Sequence, residues 1–552
     1  MKRAYALLLT MALAVVFPVG CASAVEAKPR RRLTLAEYRD RMKGGWLGQI
    51  IGVGWALPTE FDYPSKIIPE DEVPEWEPRR IDQHFNDDIF FNIRQLKLLD
   101  RLGPDATPRE VALDQASRAG RRGRYWARSG IAPPDLTYPR YSASGKWSFA
   151  NLHMYSEFAG LVSPGMPGLA ADLIRRYTMK CCETRYDGQF LAALNAEAFF
   201  ETDIHALVEA GLEVIPPDSQ YAGCIRDVVR WHRENPEDWQ ATWHRIQDKY
   251  FGNPEFFHGI DPGPGTGGAK IHGAYVVLGL LYGEGDLAKS IVITMRCGQD
   301  SDCSASNVGG ILGVMMGADA IPGRFTEQLD TTRPFNHVDW NLEQTFAASE
   351  RVAREVIRHG RGRIEAQEDG AEIWHPRDIA FEPELYMKFW DPPELIGSRF
   401  TEEEMRRIPV VTLRWALPRY LPDWETENAH WSSGYEWERE GRRGVLVLSP
   451  RSKESPVVLR GEVRVPKDAP AAIPLAGGGA QPWRLEARVN GEAVQSADIA
   501  QEGASFWTPM PLDLTLWRGE EVQIEIAAGG LLGSEDGPPT VFVAGLTAAE
   551  QW

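Results

Sequence analysis

Three short segments, far apart in the chain, carry side chains able to hold a hard cation and move a proton. The first is Gly44-Gly45-Trp46-Leu47-Gly48-Gln49-Ile50-Ile51-Gly52-Val53-Gly54-Trp55-Ala56-Leu57-Pro58-Thr59-Glu60. Its glycines recur at helical spacing, and Pro58 breaks the helix so that Glu60 is presented on a loop. The second is Phe85-Asn86-Asp87-Asp88, and the third is Cys297-Gly298-Gln299-Asp300-Ser301-Asp302-Cys303, which runs into a stretch rich in Ser, Ala and Gly. Each has an ordinary structural reading. Asn86 is a good helix cap, acids suit a first helical turn, Asp300 and Asp302 can cap the helix after them, and Glu60 can be a surface carboxylate. Taken together, Asp87, Asp88, Asp300 and Asp302 imply a compact site between helices whose small residues permit close approach. Four converging carboxylates repel one another strongly, and a cation that prefers oxygen ligands (Mg²⁺, Mn²⁺ or Ca²⁺) removes that repulsion. Asn86 can add a carbonyl oxygen.

The elements that must position these groups are helical. Thr34-Leu35-Ala36-Glu37 is a capping-box signature, and Tyr38, Met42, Trp46 and Ile50 form one apolar stripe after it. Ile89, Phe90, Ile93, Leu96 and Leu99 repeat the helical period after Asp88 and stop at Gly103. Gly188 to Leu212, Ala274 to Tyr282, Ala288 to Met295 and Leu342 to His359 read the same way. Beyond Arg377 the texture changes to short β-branched runs: Val410 to Leu413, Gly444 to Leu448, Pro456 to Val465, Trp483 to Val489 and Val522 to Ile526. Asn490-Gly491 marks a hairpin turn among them. The expected organisation is multidomain: an all-α domain over 34–370, a linker at 371–405, and a C-terminal all-β sandwich over 406–552, of a kind able to bind carbohydrate.

In order and spacing, the three chemical segments resemble the ADP-ribosylglycohydrolase family, also called the dinitrogenase-reductase-activating glycohydrolase family. Its pattern is a Gly-rich first helix ending in Pro-x-Glu, then Thr-Asp-Asp, then Gly-Gly-Asp-Thr-Asp-Thr before a Gly/Ala-rich helix. The resemblance covers roughly Leu35 to Gly323. It implies a compact all-α fold around a binuclear Mg²⁺ centre that holds the vicinal hydroxyls of a ribofuranose while water attacks the anomeric carbon. Carried over, Asn86 stands in the Thr position, and Asp87, Asp88, Asp300 and Asp302 in the acidic positions as metal ligands. Glu60 matches the loop Glu near the scissile bond. Glu60, the candidate acid/base, Asp87 and Asp302 are thus the expected catalytic residues; apart from the resemblance, Asp187 and Gly188, in Tyr186 to Phe190, and Gly267, in the loop from Asp261 to Gly268, are the candidate substrate contacts. Two departures stand out. Val53 replaces a frequent Asp. Cys303 replaces the last Thr, and a thiol is a poor Mg²⁺ ligand, so Cys303 is a doubtful ligand and one or two ions are open, with Mn²⁺ or Ca²⁺ as alternatives.

The chain has 552 residues, of which 43% are hydrophobic and 25% charged, so a disordered or fibrous protein is excluded. Lys and Arg total 60 against 78 Asp and Glu, a net charge of -18 that disfavours nucleic acid and anionic membranes as partners. Residues 1–24 read as an export signal: Met1-Lys2-Arg3, then an apolar run too short to span a membrane, then Ala22-Ser23-Ala24 for cleavage. Alternatively, Val19-Gly20-Cys21 resembles a lipobox, with Cys21 as a lipid anchor. A basic linker, 25–33, follows. The expected location is therefore periplasmic or extracellular, soluble or lipid-anchored. An exported enzyme with 19 Trp residues and a β-sandwich points to a glycan furanoside as substrate. The alternatives are an ADP-ribosyl group on a protein or small molecule, or an inactive sugar-binding protein. Trp431, Trp483, Trp507 and Trp517 are the candidate sugar platform. His153, His205, His258 and His272 lack zinc spacing, and Gly265 to Ile271 lacks the ending of a phosphate loop. The six cysteines form no recognisable disulfide framework.

Overall fold

The computed structural model describes residues 31–547 except 119–124, 139–153, 155, 252, 254, 257–267, 453–454, 469–470, 480, 500–504 and 532–539. Residues 1–24, expected to be an export signal, and with them Cys21, lie outside the described residues, as does Gly267.

The helical body begins where the capping box places it. Thr34 Oγ1 accepts the Glu37 N–H at 3.2 Å and Glu37 Oε2 accepts the Thr34 N–H at 2.6 Å, opening α1 (Leu35–Ala56). Tyr38, Met42, Trp46 and Ile50 are all buried on it. Asn86 caps α2 (Asp87–Leu102), which stops at Gly103 with φ +76°. A short helix α3 (Glu157–Leu161) precedes α4 (Cys182–Glu197). Then come α5 (Leu287–Arg296), α6 (Ser301–Met316) and α7 (Leu342–His359), the last with a second capping box between Asn341 and Gln344. The stretch expected as one helix from Gly188 to Leu212 is two. α4 ends at Glu197, and Asp203 caps a new helix, Ile204–Glu213, by accepting the His205 N–H at 2.8 Å. The Asp203 carboxylate satisfies an N–H that has no partner within the helix following it, which fixes a helix start at that point.

Strands also enter the helical half. Leu33–Thr34 pairs with Glu372–His375, which pairs with Arg363–Ala366, so both ends of the helical region meet in one small antiparallel sheet.

Among the described residues the C-terminal region has two large antiparallel sheets and a two-stranded one that pairs Ala472–Ile473 with Leu512–Asp513. Edge to edge, one runs Trp507–Pro509, Ala476–Gly478, Val541–Ala544, Arg442–Leu448, Gly434–Arg439 and Val410–Thr412. The other runs Glu492–Ile499, Trp483–Val489, Glu521–Leu531, Val457–Arg464 and Trp424–Glu427. Trp483 of the second sheet donates to Gly478 O of the first at 3.3 Å. The hairpin at Asn490-Gly491 is present, with φ of +50° and +85° as a type I′ turn requires. After Thr412 the chain turns into a helix, Leu413–Tyr420, instead of extending the strand, because the Thr412 side chain caps it. The tryptophans do not form a shared platform. Trp483 is fully buried and Trp507 is 9% exposed, whereas Trp431 is 47% exposed.

The sandwich is fastened to the helical body by polar contacts. Arg109 grips Glu404 in a two-pronged pair at 2.6 and 2.7 Å, and the buried Arg128 donates to Val410 O at 2.6 Å. Asp135 accepts the backbone N–H groups of Ile396, Gly397 and Ser398. None of these groups belongs to the carboxylate site.

Candidate active site

The site depends on a backbone-to-backbone contact between α1 and α6. A Cβ placed at Gly44, Gly48 or Gly52 would fall 2.1, 1.9 and 2.1 Å from the carbonyl oxygens of Gly313, Gly309 and Ala305. Steps of four up α1 meet steps of four down α6, so the two helices run antiparallel with their small-residue stripes in contact. The start of α6, with Asp300 and Asp302, therefore lies beside the end of α1, from which Glu60 emerges.

The loops joining these helices are stitched together. The Phe61 N–H donates to Gln299 O at 2.9 Å, the Gln299 N–H to Tyr63 O at 3.3 Å, and the hydroxyls of Thr59 and Ser301 are 2.9 Å apart. The reversal before Asp300 needs left-handed backbone at Gly298 (φ +77°) and Gln299 (φ +65°). At Gly298 a side chain would also strike the carbonyls of Tyr63 and Lys66, both 2.5 Å away, so only glycine fits.

Oxygens of Glu60, Asp300 and Asp302 lie within 4.8 Å of one another. Asp88, Asp302 and the Cys303 sulfur form a second group within the same limit. Asp302 belongs to both. Asp88 and Asp302 are 1% and 2% exposed, and Asp88 Oδ2 and Asp302 Oδ1 have no hydrogen-bond partner. Asp300 starts α6 without capping it through its side chain, so the capping role open to it in the sequence is not used. Asn86 does cap: its Oδ1 accepts the Asp88 N–H at 2.9 Å, and its amide nitrogen lies 3.5 Å from Asp302 Oδ2. Asp87 is exposed and outside both groups, although its charge acts on Glu60. Ser304 donates back to Asp300 O at 3.2 Å, away from the cluster.

Burial and mutual repulsion govern the protonation of these acids. The Glu60 carboxyl is pushed up to about 7 by burial and by the charges of Asp300 and Asp87. Asp88 rises well above the carboxylate range through burial and the charges of Asp302 and Asp300, and Asp302 rises through burial, Asp300 and Glu60. Acids raised on folding bind more protons in the native state than in the unfolded one. That extra stability is fully present below their unfolded values near 4 and is lost as pH rises through the folded values. Chelator-treated protein should therefore show a thermal midpoint that falls between pH 5 and 8, with Glu60 titrating near the middle of that window. Adding Mn²⁺ should flatten the fall; a midpoint that rises over the same range in chelator contradicts this electrostatic picture.

The donor set fits a hard divalent cation. Asp88 Oδ2 and Asp302 Oδ1, buried and unpartnered on acids that resist ionisation, are oxygens that a hard cation would neutralise. The fit is better at Glu60, Asp300 and Asp302 than at Asp88. There the Cys303 thiol donates to Asp88 Oδ1 at 3.0 Å and is itself held protonated by burial and the neighbouring charges.

One turn deeper lies a polar layer that reading by motif missed. Asn92 donates to Glu157 Oε2 at 2.8 Å and accepts the Phe158 N–H at 3.1 Å. Asn307 donates to Glu157 Oε1, and Asn92 also reaches Gln49 Oε1 at 3.4 Å. These four residues tie α1, α2, α3 and α6 together directly beneath the acids. The available signal was positional: Asn92 is four residues after Asp88, and Asn307 four after Cys303, on otherwise apolar or small faces.

Asp187 and Gly188 are buried on α4, and Asp187 Oδ1 accepts from the Tyr221 hydroxyl at 3.0 Å. Neither acidic group includes Asp187. Among the described residues no helix is long and apolar enough to cross a membrane.

Residues 34–360, more than half of the chain, match the ADP-ribosylglycohydrolase family. A solved structure described as an ADP-ribosylglycohydrolase-related protein complex matches 58% of this chain and 100% of that one, at 19% identity and a TM-score of 0.36. Among curated proteins no match is found. The chain, with its helical domain carrying an acidic cluster able to hold a divalent metal, belongs to the ADP-ribosylglycohydrolase family of hydrolases.

Proposed function

We propose that this chain is a divalent-metal-dependent hydrolase that cleaves a glycosidic bond at the anomeric carbon of an ADP-ribosyl group. The observation that carries the reading is the convergence of Glu60, Asp300 and Asp302 within 4.8 Å, with the Glu60 carboxyl raised to about 7. A cation held by Asp300 and Asp302 would polarise sugar hydroxyls and lower the pKa of a water. Glu60, half-buried and poised near neutrality, takes a proton from the attacking water and can return it to the departing group. The stitching of Phe61 to Gln299 holds the Glu60 loop against the start of α6, so the proton acceptor and the metal-binding oxygens stay in one place. The polar layer of Asn92, Glu157 and Asn307 fixes the helices that carry Asp88 and Asp302.

A glycan furanoside is the second reading, favoured by the C-terminal β-sandwich and the exposed Trp431. The burial of Trp483 and Trp507 removes much of its aromatic platform and places it second. The signal-like segment at residues 1–24 supports action outside the cytoplasm in either case.

The test is release of ADP-ribose from ADP-ribosylated peptides beside release of sugar from a furanoside panel, each with and without EDTA. We expect ADP-ribose release that EDTA stops and Mg²⁺ or Mn²⁺ restores. Glu60→Gln should lower kcat by about 10²–10⁴-fold with little change in KM. Sugar release alone would transfer the assignment to the glycan, and turnover indifferent to EDTA would remove the metal from it.

A further inference from the structure

The acids described above leave one reactive pair unused: the adjacent Cys181 and Cys182 at the start of α4. Their sulfurs are 3.0 Å apart, closer than two unbonded sulfurs normally rest, and both residues are buried at 4% exposure. Cys181 occupies the cap position with extended backbone (φ -136°), and Cys182 opens the helix with φ +57°. A left-handed residue at the first position of a right-handed helix is costly for any side chain but glycine. Here that conformation accompanies the placement of one Sγ against the other. Cys181 makes no capping bond with its side chain, so its sulfur is not committed to the helix.

The remaining described cysteines are placed differently. Cys224 faces Lys270 O, Cys297 faces Ile293 O, and Cys303 faces Asp88, each sulfur turned toward an oxygen. Charges of both signs act on the pair at 181–182, Arg185 and Lys180 against Glu183 and Glu384. Arg185 donates to Lys180 O at 2.6 Å and to Glu384 at 2.5 Å, and the charges of Arg185 and Lys180 favour a thiolate at Cys181. The hydrogen bond from Cys182 is the largest influence in that direction, and burial and Glu384 oppose it without reversing it.

We propose that Cys181 and Cys182 form a reversible oxidation site that closes to a vicinal disulfide by exchange with a small-molecule disulfide such as oxidised glutathione. The Cys181 thiolate attacks one sulfur of the reagent, whose S–S bond breaks, and one glutathione thiolate leaves with the electron pair. Cys182 loses its proton and attacks the Cys181 sulfur of the mixed disulfide, and the second glutathione thiolate leaves. Two cysteine thiols are oxidised, one disulfide is reduced to two thiols, and the two protons pass to the leaving thiolates. Because bonded neighbours sit only about 3.8 Å apart at Cα, below the usual disulfide range, the product is readily reduced again. Closure bears on the body of the enzyme, because α4 packs against α6 and carries Glu183, which accepts from the Tyr221 N–H and the Tyr386 hydroxyl.

Trypsin cuts after Lys180 and Arg185 and releases both cysteines in one peptide, Cys181–Arg185. The full chain is treated with oxidised glutathione, quenched in acid, alkylated in denaturant and digested. The expected product is that peptide lighter by two hydrogen atoms and free of alkyl groups, outnumbering any glutathione adduct by about tenfold or more because the second step is intramolecular. Dithiothreitol should return both alkylatable thiols. Cys182→Ser should accumulate a glutathione adduct on Cys181, and Cys181→Ser should leave Cys182 far less modified. Two alkylated cysteines after oxidation, or a lasting adduct on the unsubstituted chain, would overturn the proposal. Because the unsubstituted chain gives the primary readout, poor folding of either variant does not remove the test.

Discussion

Asp302→Asn should abolish divalent-metal binding and hydrolysis together. Asp302 is the one residue common to both groups of potential ligands, joining Glu60 and Asp300 on one side and Asp88 and Cys303 on the other. Losing a residue that merely orients a ligand typically costs 10–100-fold in affinity, so losing a shared direct ligand should weaken Mn²⁺ binding by more than about 100-fold. Turnover should fall by at least about 10²-fold, as it does when a single preorganised electrostatic group is removed. The same change should act in the opposite sense on the metal-free protein. Asp302 is buried, one of its oxygens is unpartnered, and its ionisation is opposed by burial and by Asp300 and Glu60. An amide of the same shape relieves that repulsion, so at pH 8 in chelator the variant should melt above the parent chain. Titration calorimetry with Mn²⁺ and thermal unfolding with and without chelator check both halves. A variant that still binds Mn²⁺ with the parent's affinity would remove Asp302 from the site.

Gly48→Val should be the most damaging single substitution in the helical domain. The added Cβ would lie 1.9 Å from Gly309 O and 2.5 Å from Gly309 C, and a backbone carbonyl cannot rotate aside as a side chain can. Relief requires α1 and α6 to separate along a contact that repeats at Gly44 and Gly52. Overpacking of a yielding core costs about 1–3 kcal/mol, so a backbone clash here should cost roughly 3 kcal/mol or more. That is a large share of the roughly 5–15 kcal/mol by which domains are stable. Because the contact also sets the distance from Glu60 to Asp300, the surviving folded fraction should bind metal more weakly. Gly223 has nothing within 4 Å of an added Cβ, so Gly223→Ala serves as the control and should leave both properties near the parent's. Equal melting temperatures for Gly48→Val and the parent chain would show that the helices are not in the contact described.

What could be read without the fold was whatever depends on near neighbours in the chain. The capping box at Thr34 and Glu37, the cap at Asn86, the stop at Gly103 and the type I′ turn at Asn490-Gly491 each need only a few consecutive residues, and all are present. The family was legible for a similar reason: its signature is three short runs, and the match spans residues 34–360. Local signals also misled where two of them competed. Asp203 divided a helix that apolar periodicity joined, and Thr412 capped a helix where β-branched residues suggested more strand. Only the tertiary structure decided which acids share a site. Asp302 joins two groups, Asp87 stays outside both, and Cys303 donates to Asp88 because α2 and α6 converge there. The raised Glu60, the layer of Asn92, Glu157 and Asn307, and the burial of Trp483 follow from the same cause. Desolvation and charge–charge repulsion depend on distances between residues hundreds of positions apart, and those distances exist only once the glycine faces of α1 and α6 have met.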